Sequence, residues 1–180
     1  MAYFEDLSEY SYHRFACRPG TKNIGWLGPD QEFDRGKSTQ EVLDSLWDHC
    51  SISVAQSRGI HECELCSPRQ TVHARRNGVT LLLGTSEIRV FSHSGTIFAA
   101  PTLIFHYVRT HRYRPPNEFL RALMEERNPL GSDYFDKLTG LNLEWKRTSS
   151  PVEHSSFRFI RVDGKVQHVE AKRQIYLDES

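Results

Sequence analysis

Between Gly59 and Cys66 the chain runs Gly59-Ile60-His61-Glu62-Cys63-Glu64-Leu65-Cys66, which brings two thiols and an imidazole into one short stretch. A Cys-x-x-Cys turn aims two sulfurs at one ion, because a tight backbone reversal carries both side chains to the same side. Further along, Ile104-Phe105-His106-Tyr107-Val108-Arg109-Thr110-His111 supplies two more imidazoles on a segment that reads as a helix. Cys63, Cys66, His106 and His111 together form a candidate closed site of two thiolates and two imidazoles, a set that structural zinc sites use. His106 and His111 lie about 140° apart around a regular helix, so both reach one ion only if the helix loosens at its end. The Pro115-Pro116 pair gives it a reason to end there. His61 competes for the site. It reads as a ligand replacing one helix histidine, as a hydrogen-bond partner of a thiolate, or as a polar turn residue, and the sequence leaves the three readings open.

Three functions are compatible with this constellation. The simplest is a non-catalytic cytosolic module, stabilised by structural Zn2+ and acting through contacts with a protein partner; a closed site adds folding free energy and needs no open coordination position. A zinc-dependent hydrolase would need an exchangeable position and a base such as Glu62 or Glu64. Nucleic-acid binding would use Arg109, Arg112, Tyr113 and Arg114, where arginines flank an aromatic ring. Redox use of the thiol pair is disfavoured, since Ser67-Pro68 and a polar stretch follow it instead of the helix that lowers a reactive thiol's pKa. The sequence contains no nucleophile elbow, phosphate-binding glycine loop or metalloprotease helix signature.

Composition narrows the choice. The 180 residues are 38% hydrophobic and 26% charged, a globular balance with enough chain for one core. Lys plus Arg and Asp plus Glu number 23 each, so no long-range field draws the whole molecule to nucleic acid or an anionic membrane. The N-terminus has neither the positive start nor the apolar run of a signal peptide, and no membrane-spanning stretch occurs, so a cytoplasmic location is expected. In a reducing compartment Cys17, Cys50, Cys63 and Cys66 are not a disulfide framework, which leaves metal binding for the close pair.

The elements that must hold these residues predict an α+β fold: a small antiparallel sheet with three to four helices around the zinc knuckle, plus a C-terminal β-hairpin. Residues 1–140 read as the knuckle domain, and 141–180 as an extension packed on it. Asn23–Leu27 is the first strand candidate. Ser38-Thr39-Gln40-Glu41 has the form of a capping box with serine as the cap. It opens a helix whose stripe is Val42, Leu43, Leu46 and Trp47, with Cys50 on the same core face. Residues 67–78 read as a polar surface loop in which Arg75 and Arg76 are solvated or touch phosphate. Thr80–Leu83, Glu87–Phe91 and Thr96–Ala99 form a meander. Pro101 is placed in the first turn of the histidine helix. A helix follows over Asn117–Glu126, with Phe119, Leu120, Leu123 and Met124 inward, and a third is capped by Ser132 and closed by Gly140. Asp163-Gly164 is a hairpin turn signal.

The N-terminal Tyr/Phe-rich segment, the Gly25-Trp26-Leu27 strand, the His-x-Cys-x-x-Cys knuckle, Ala100–Ile104, His106-Tyr107-Val108, His111, Tyr113, Pro115-Pro116 and Phe119 resemble a family of poorly characterised bacterial proteins. The resemblance covers roughly residues 3 to 140, extending less firmly through Tyr134 and Leu138. It implies that His61, Cys63, Cys66, His106 and His111 lie together, and it brings no activity with it. The stretch from Ser67 to Asn77 and the tail after Gly140 depart from that pattern.

Overall fold

Thr39, one residue after the serine expected to do so, starts the first helix. Its Oγ1 accepts the Val42 amide at 3.4 Å and α1 runs Gln40–Cys50. Val42, Leu46, Trp47 and Cys50 are buried along its inner face, as the stripe requires. The chain is treated through a computed structural model that describes residues 3–126, 129–147, 156–162 and 165–171.

Five short strands make the main sheet: β1 (Thr21–Asn23), β2 (Ile52–Val54), β5 (Glu87–Phe91), β6 (Ile97–Pro101) and β7 (Trp145–Arg147), in the order β1-β6-β5-β2-β7. Parallel pairing of β1 with β6 makes this sheet mixed, while its other pairs are antiparallel. The pairing residues overlap the stretch expected to form the first strand only at Asn23, and Ile24, Trp26 and Leu27 instead fill the core. Pro101 ends β6 opposite Glu87 and does not open a helix. Its ring removes a donor at a strand end, where the ladder tolerates the loss.

Beside the sheet stands a separate hairpin: β3 (His73–Arg76) lies inside the segment read as a loop, and β4 (Val79–Leu82), which covers most of the expected Thr80–Leu83 strand, pairs with it and not with β5. Asn77 and Gly78 join its strands with φ of 49° and 77°. This is the Asn-Gly pair that a two-residue turn with both φ positive selects.

Helices α2 (Ile104–Thr110), α3 (Asn117–Glu125) and α4 (Ser132–Gly140) complete the domain. Phe119, Ala122 and Leu123 are the buried face of α3, whereas Met124 is exposed, because it lies on the flank of a nine-residue helix whose stripe is already filled. On α4, Tyr134 and Leu138 are buried, and the Tyr134 hydroxyl donates to the Arg89 carbonyl at 2.7 Å. Gly131, not Ser132, occupies the N-cap position. The backbones of β8 (Ser156–Val162) and β9 (Lys165–Ala171) pair antiparallel. The Asp163-Gly164 turn lies outside the described residues.

Both faces of β5 are covered, and all five of its residues are buried. The alternation Glu87-Ile88-Arg89 would ordinarily send the charged pair to water. Here the charges meet inside the core: Arg89 NH1 donates to Glu87 Oε2 at 2.6 Å, and the Tyr10 hydroxyl donates to the same carboxylate at 2.7 and 2.9 Å, while Arg89 NH2 has no hydrogen-bond partner among the described residues.

Candidate metal centre

Two anchors fix the knuckle. The Cys63 amide donates to the Gln70 carbonyl at 2.8 Å, which closes the turn carrying both thiols, and the His61 amide donates to the Gly84 carbonyl at 2.8 Å. Gly84 has φ +86°, and a Cβ there would run into the His61 carbonyl oxygen, so the two backbones approach closely only because no side chain intervenes.

The partner segment is α2 and the residue that ends it. His106 lies within the helix, and His111 sits at its C-cap with φ −95° and ψ 1°. Arg112 then turns left-handed at φ 57°, and the Tyr107 carbonyl collects the amides of both His111 and Tyr113. Residues Asp34–Gly36 lie alongside and hold this ending. Arg35 NH1 donates to the His111 carbonyl at 2.9 Å, and the Gly36 amide donates to the Arg112 carbonyl at 2.8 Å. The helix therefore stops ahead of Pro115, at a left-handed residue whose neighbours are capped by another segment. The loosening expected of the prolines comes from tertiary contacts.

These constraints bring Cys63, Cys66, His106 and His111 together, with one ligand atom of each within 4.8 Å of all the others. The contacts are Cys63 Sγ to His111 Nε2 at 3.4 Å, Cys66 Sγ to His106 Nε2 at 3.3 Å, Cys66 Sγ to His111 Nε2 at 3.4 Å, and Nε2 to Nε2 at 3.1 Å. Burial pushes the Cys63 thiol up to about 11 and the His106 imidazole down to about 4, where the His111 ring and Arg109 act in the same direction. A neutral imidazole is ready to ligate, and a thiol so reluctant to ionise gives up its proton when a cation takes its place. Two neighbours orient the ligands. His106 Nδ1 hydrogen-bonds the Thr110 hydroxyl at 3.2 Å, leaving Nε2 for the cluster, and Gln70 Nε2 donates to Cys66 Sγ at 3.3 Å.

His61 stands outside this group. Its Nε2 hydrogen-bonds the Tyr12 hydroxyl at 3.0 Å, so its ring serves the N-terminal aromatic cluster. Glu64 pairs with Arg69 at 3.4 Å, Glu62 is exposed, and neither belongs to the cluster. Cys50 is core: its thiol donates to the Thr102 carbonyl at 3.5 Å, and burial pushes it up to about 12. Tyr113 is wholly buried with its hydroxyl on Asp6 at 2.7 Å, which leaves Arg109, Arg112 and Arg114 without the ring that sequence reading set among them. The Asn77-Gly78 hairpin turn was a readable signal that the polar-loop assignment passed over.

Fold and cluster define an α+β protein with a Cys/His group able to hold a metal ion. Residues 2–124 match the family described as a domain of unknown function (DUF7919), and the chain belongs to that family. All four cluster residues fall inside the match, whereas α4 and β7 follow it. No curated protein and no solved structure matches the chain. Among the described residues no helix is long and apolar enough to cross a membrane.

Proposed function

We propose that the four side chains bind one zinc ion, and that this ion is structural: it staples the knuckle to the end of α2. The carrying observation is the spacing of the ligand atoms. A tetrahedral zinc with ordinary Zn–S and Zn–N bonds sets its nitrogens about 3.3 Å apart and each sulfur about 3.6 Å from each nitrogen. The two nitrogens are 3.1 Å apart and three of the four sulfur–nitrogen separations are 3.3–3.4 Å, within a few tenths of that shell, with all four ligand atoms inside 4.8 Å of one another. Two thiolates and two imidazoles fill a tetrahedron, so no position remains for water or substrate, and no carboxylate of the cluster offers a base. On this reading the protein is a non-catalytic cytoplasmic module that works through contacts with a protein partner. Zinc-dependent hydrolysis is the reading the closed shell disfavours.

Elemental analysis of purified, folded protein tests it. One zinc per chain is expected, and stripping the ion with a chelator should lower the melting temperature. Folded protein with metal content near zero removes the proposal, and turnover of an ester or phosphoester that disappears on chelation would replace it with the hydrolase.

A further inference from the structure

The end of α2 is closed by a short two-stranded ribbon, and that ribbon is cationic. The Gly36 amide donates to the Arg112 carbonyl and the Arg114 amide to the Asp34 carbonyl, both at 2.8 Å, while Arg35 and Tyr113 pair as an isolated antiparallel bridge. Residues 34–37 and 112–114 therefore run side by side. They carry four cations, Arg35, Lys37, Arg112 and Arg114, against one carboxylate, Asp34. All four cations are exposed, and none lies within ion-pair distance of a carboxylate among the described residues. A zinc ion held by two thiolates is neutral, so the neighbouring metal centre would not change this surplus.

The backbone is shaped around these side chains. Arg112 stands at φ 57°, in the left-handed region that glycine or asparagine adopts more readily. Its side chain has no hydrogen bond, ion pair or ring contact among the described residues, so nothing inside the chain explains an arginine there. Strained backbone states persist where function uses them, and with no internal partner the use of Arg112 points outward. Gly36 makes room for a second arginine, since a Cβ there would stand 3.0 Å from Arg114 Cδ. Two of the cations are held in place by neutral groups. Arg35 Cζ lies 4.2 Å from the Phe33 ring centroid with NH1 on the His111 carbonyl, and Arg114 NH2 donates to Asn117 Oδ1 at 3.4 Å. These contacts take up only part of each guanidinium fork and leave its charge unanswered.

We propose that this ribbon docks a carboxylate-rich segment of a protein partner, a surface that rests on reading the chain as a module working through protein contacts. Arg35, Lys37, Arg112 and Arg114 answer the Asp and Glu side chains of that segment. Guanidinium forks match carboxylates two oxygens at a time, and arms already held by a ring or a carbonyl lose less freedom on binding. Nucleic acid is the other polyanion. Its single strands need an open ring on which to stack, yet Tyr113 is wholly buried and Arg35 already covers the Phe33 ring. Duplex binding draws on an extended positive surface, which a chain of zero net charge does not supply.

Fluorescence anisotropy of a labelled oligoglutamate peptide with the full chain, zinc content being measured on the same sample, decides it. Saturable binding that weakens as salt rises is expected. Arg112→Gly should not lower the melting temperature, because it relieves the left-handed backbone, yet it should weaken the peptide by about two- to fivefold, the scale of one exposed ion pair. Adding Lys37→Ala should weaken it further, to about fivefold or more in total. Arg58→Ala, outside the ribbon, should leave binding unchanged. A metal-free chain that still binds the peptide through Arg112 removes the structural zinc and supports the docking surface. A chain that fails to bind at millimolar peptide overturns the docking surface whatever its zinc content. Binding indifferent to both Arg112→Gly and Lys37→Ala, or tighter binding of a short oligothymidylate than of the peptide, also overturns it.

Discussion

His106 and His111 meet nitrogen to nitrogen, Nε2 to Nε2 at 3.1 Å with ring planes 81° apart, although five residues separate them. A continuous helix would point them in directions about 140° apart. The meeting is possible because His111 is the cap of α2 with ψ near zero, and Arg112 reverses the chain immediately afterwards. Both imidazoles are therefore expected to ligate. In competition with a chromogenic chelator, His106→Ala, His111→Ala, Cys63→Ser and Cys66→Ser should each release the ion at far lower chelator concentration, whereas His61→Ala and Cys50→Ala retain it. A His61 variant that loses metal as readily as Cys63→Ser, with one helix histidine silent, would falsify the two-plus-two site.

Thr110→Val removes the hydroxyl that fixes the His106 ring while keeping its volume. Metal affinity should fall within the roughly 10- to 100-fold range seen when ligand-orienting partners are lost. The check is the chelator titration read beside a circular-dichroism melt of the zinc-loaded form, since affinity should move more than secondary structure.

Gly84→Ala should be costly for a two-part reason: φ +86° strains an L side chain, and the new methyl meets the His61 carbonyl oxygen. A loss of about 1–3 kcal/mol in stability is expected from the strained backbone alone. Because His61 lies two residues ahead of Cys63, its displacement should also weaken metal retention. Chemical denaturation together with metal content measures both, and a fully stable, fully loaded variant would contradict the close approach.

Arg89→Met should destabilise by about 3–5 kcal/mol, because it strands the Glu87 carboxylate inside the core. Glu87→Leu combined with Arg89→Met should cost less than the single change, since no unpaired charge is left. Urea unfolding of the two variants tests the comparison.

Stability should decline as pH drops, through His49. This ring is wholly buried with Nδ1 on the Ser45 carbonyl at 2.8 Å, and burial lowers its pKa to about 4. The unfolded chain, with an ordinary imidazole near 6.5, then binds the proton more readily than the native one. Full stability is present above about 6.5 and is lost progressively down toward pH 4, on the order of 3 kcal/mol. His49→Phe should flatten that part of a pH–stability curve measured by denaturant unfolding.

Local sequence carried a good deal of this protein. The Cys63-x-x-Cys66 spacing set two thiols on one turn, the stripe from Val42 to Cys50 set the buried face of α1, and the charge balance left only local sites for anions. The first two are properties of a short window, in which backbone period alone fixes which side chains share a face, and the third is a sum over the whole chain. The Asn77-Gly78 turn belonged to the same class and was equally readable.

Other features depended on what each window packs against. Glu87 and Arg89 look like the wet face of a strand, and only the cover of Tyr10 and α4 makes them core. The Pro115-Pro116 pair suggested why α2 ends, yet Arg35 and Gly36, far away in sequence, hold that end in place. His61 stands as close to the thiols in sequence as any ligand, but Tyr12 takes its ring. The ribbon of Arg35, Lys37, Arg112 and Arg114 likewise exists only because residues 34–37 lie beside the end of α2. Residue type and spacing determined which chemistry was available; long-range contacts decided which atoms meet, because the direction of a side chain at an element's end is set by whatever segment satisfies the backbone there.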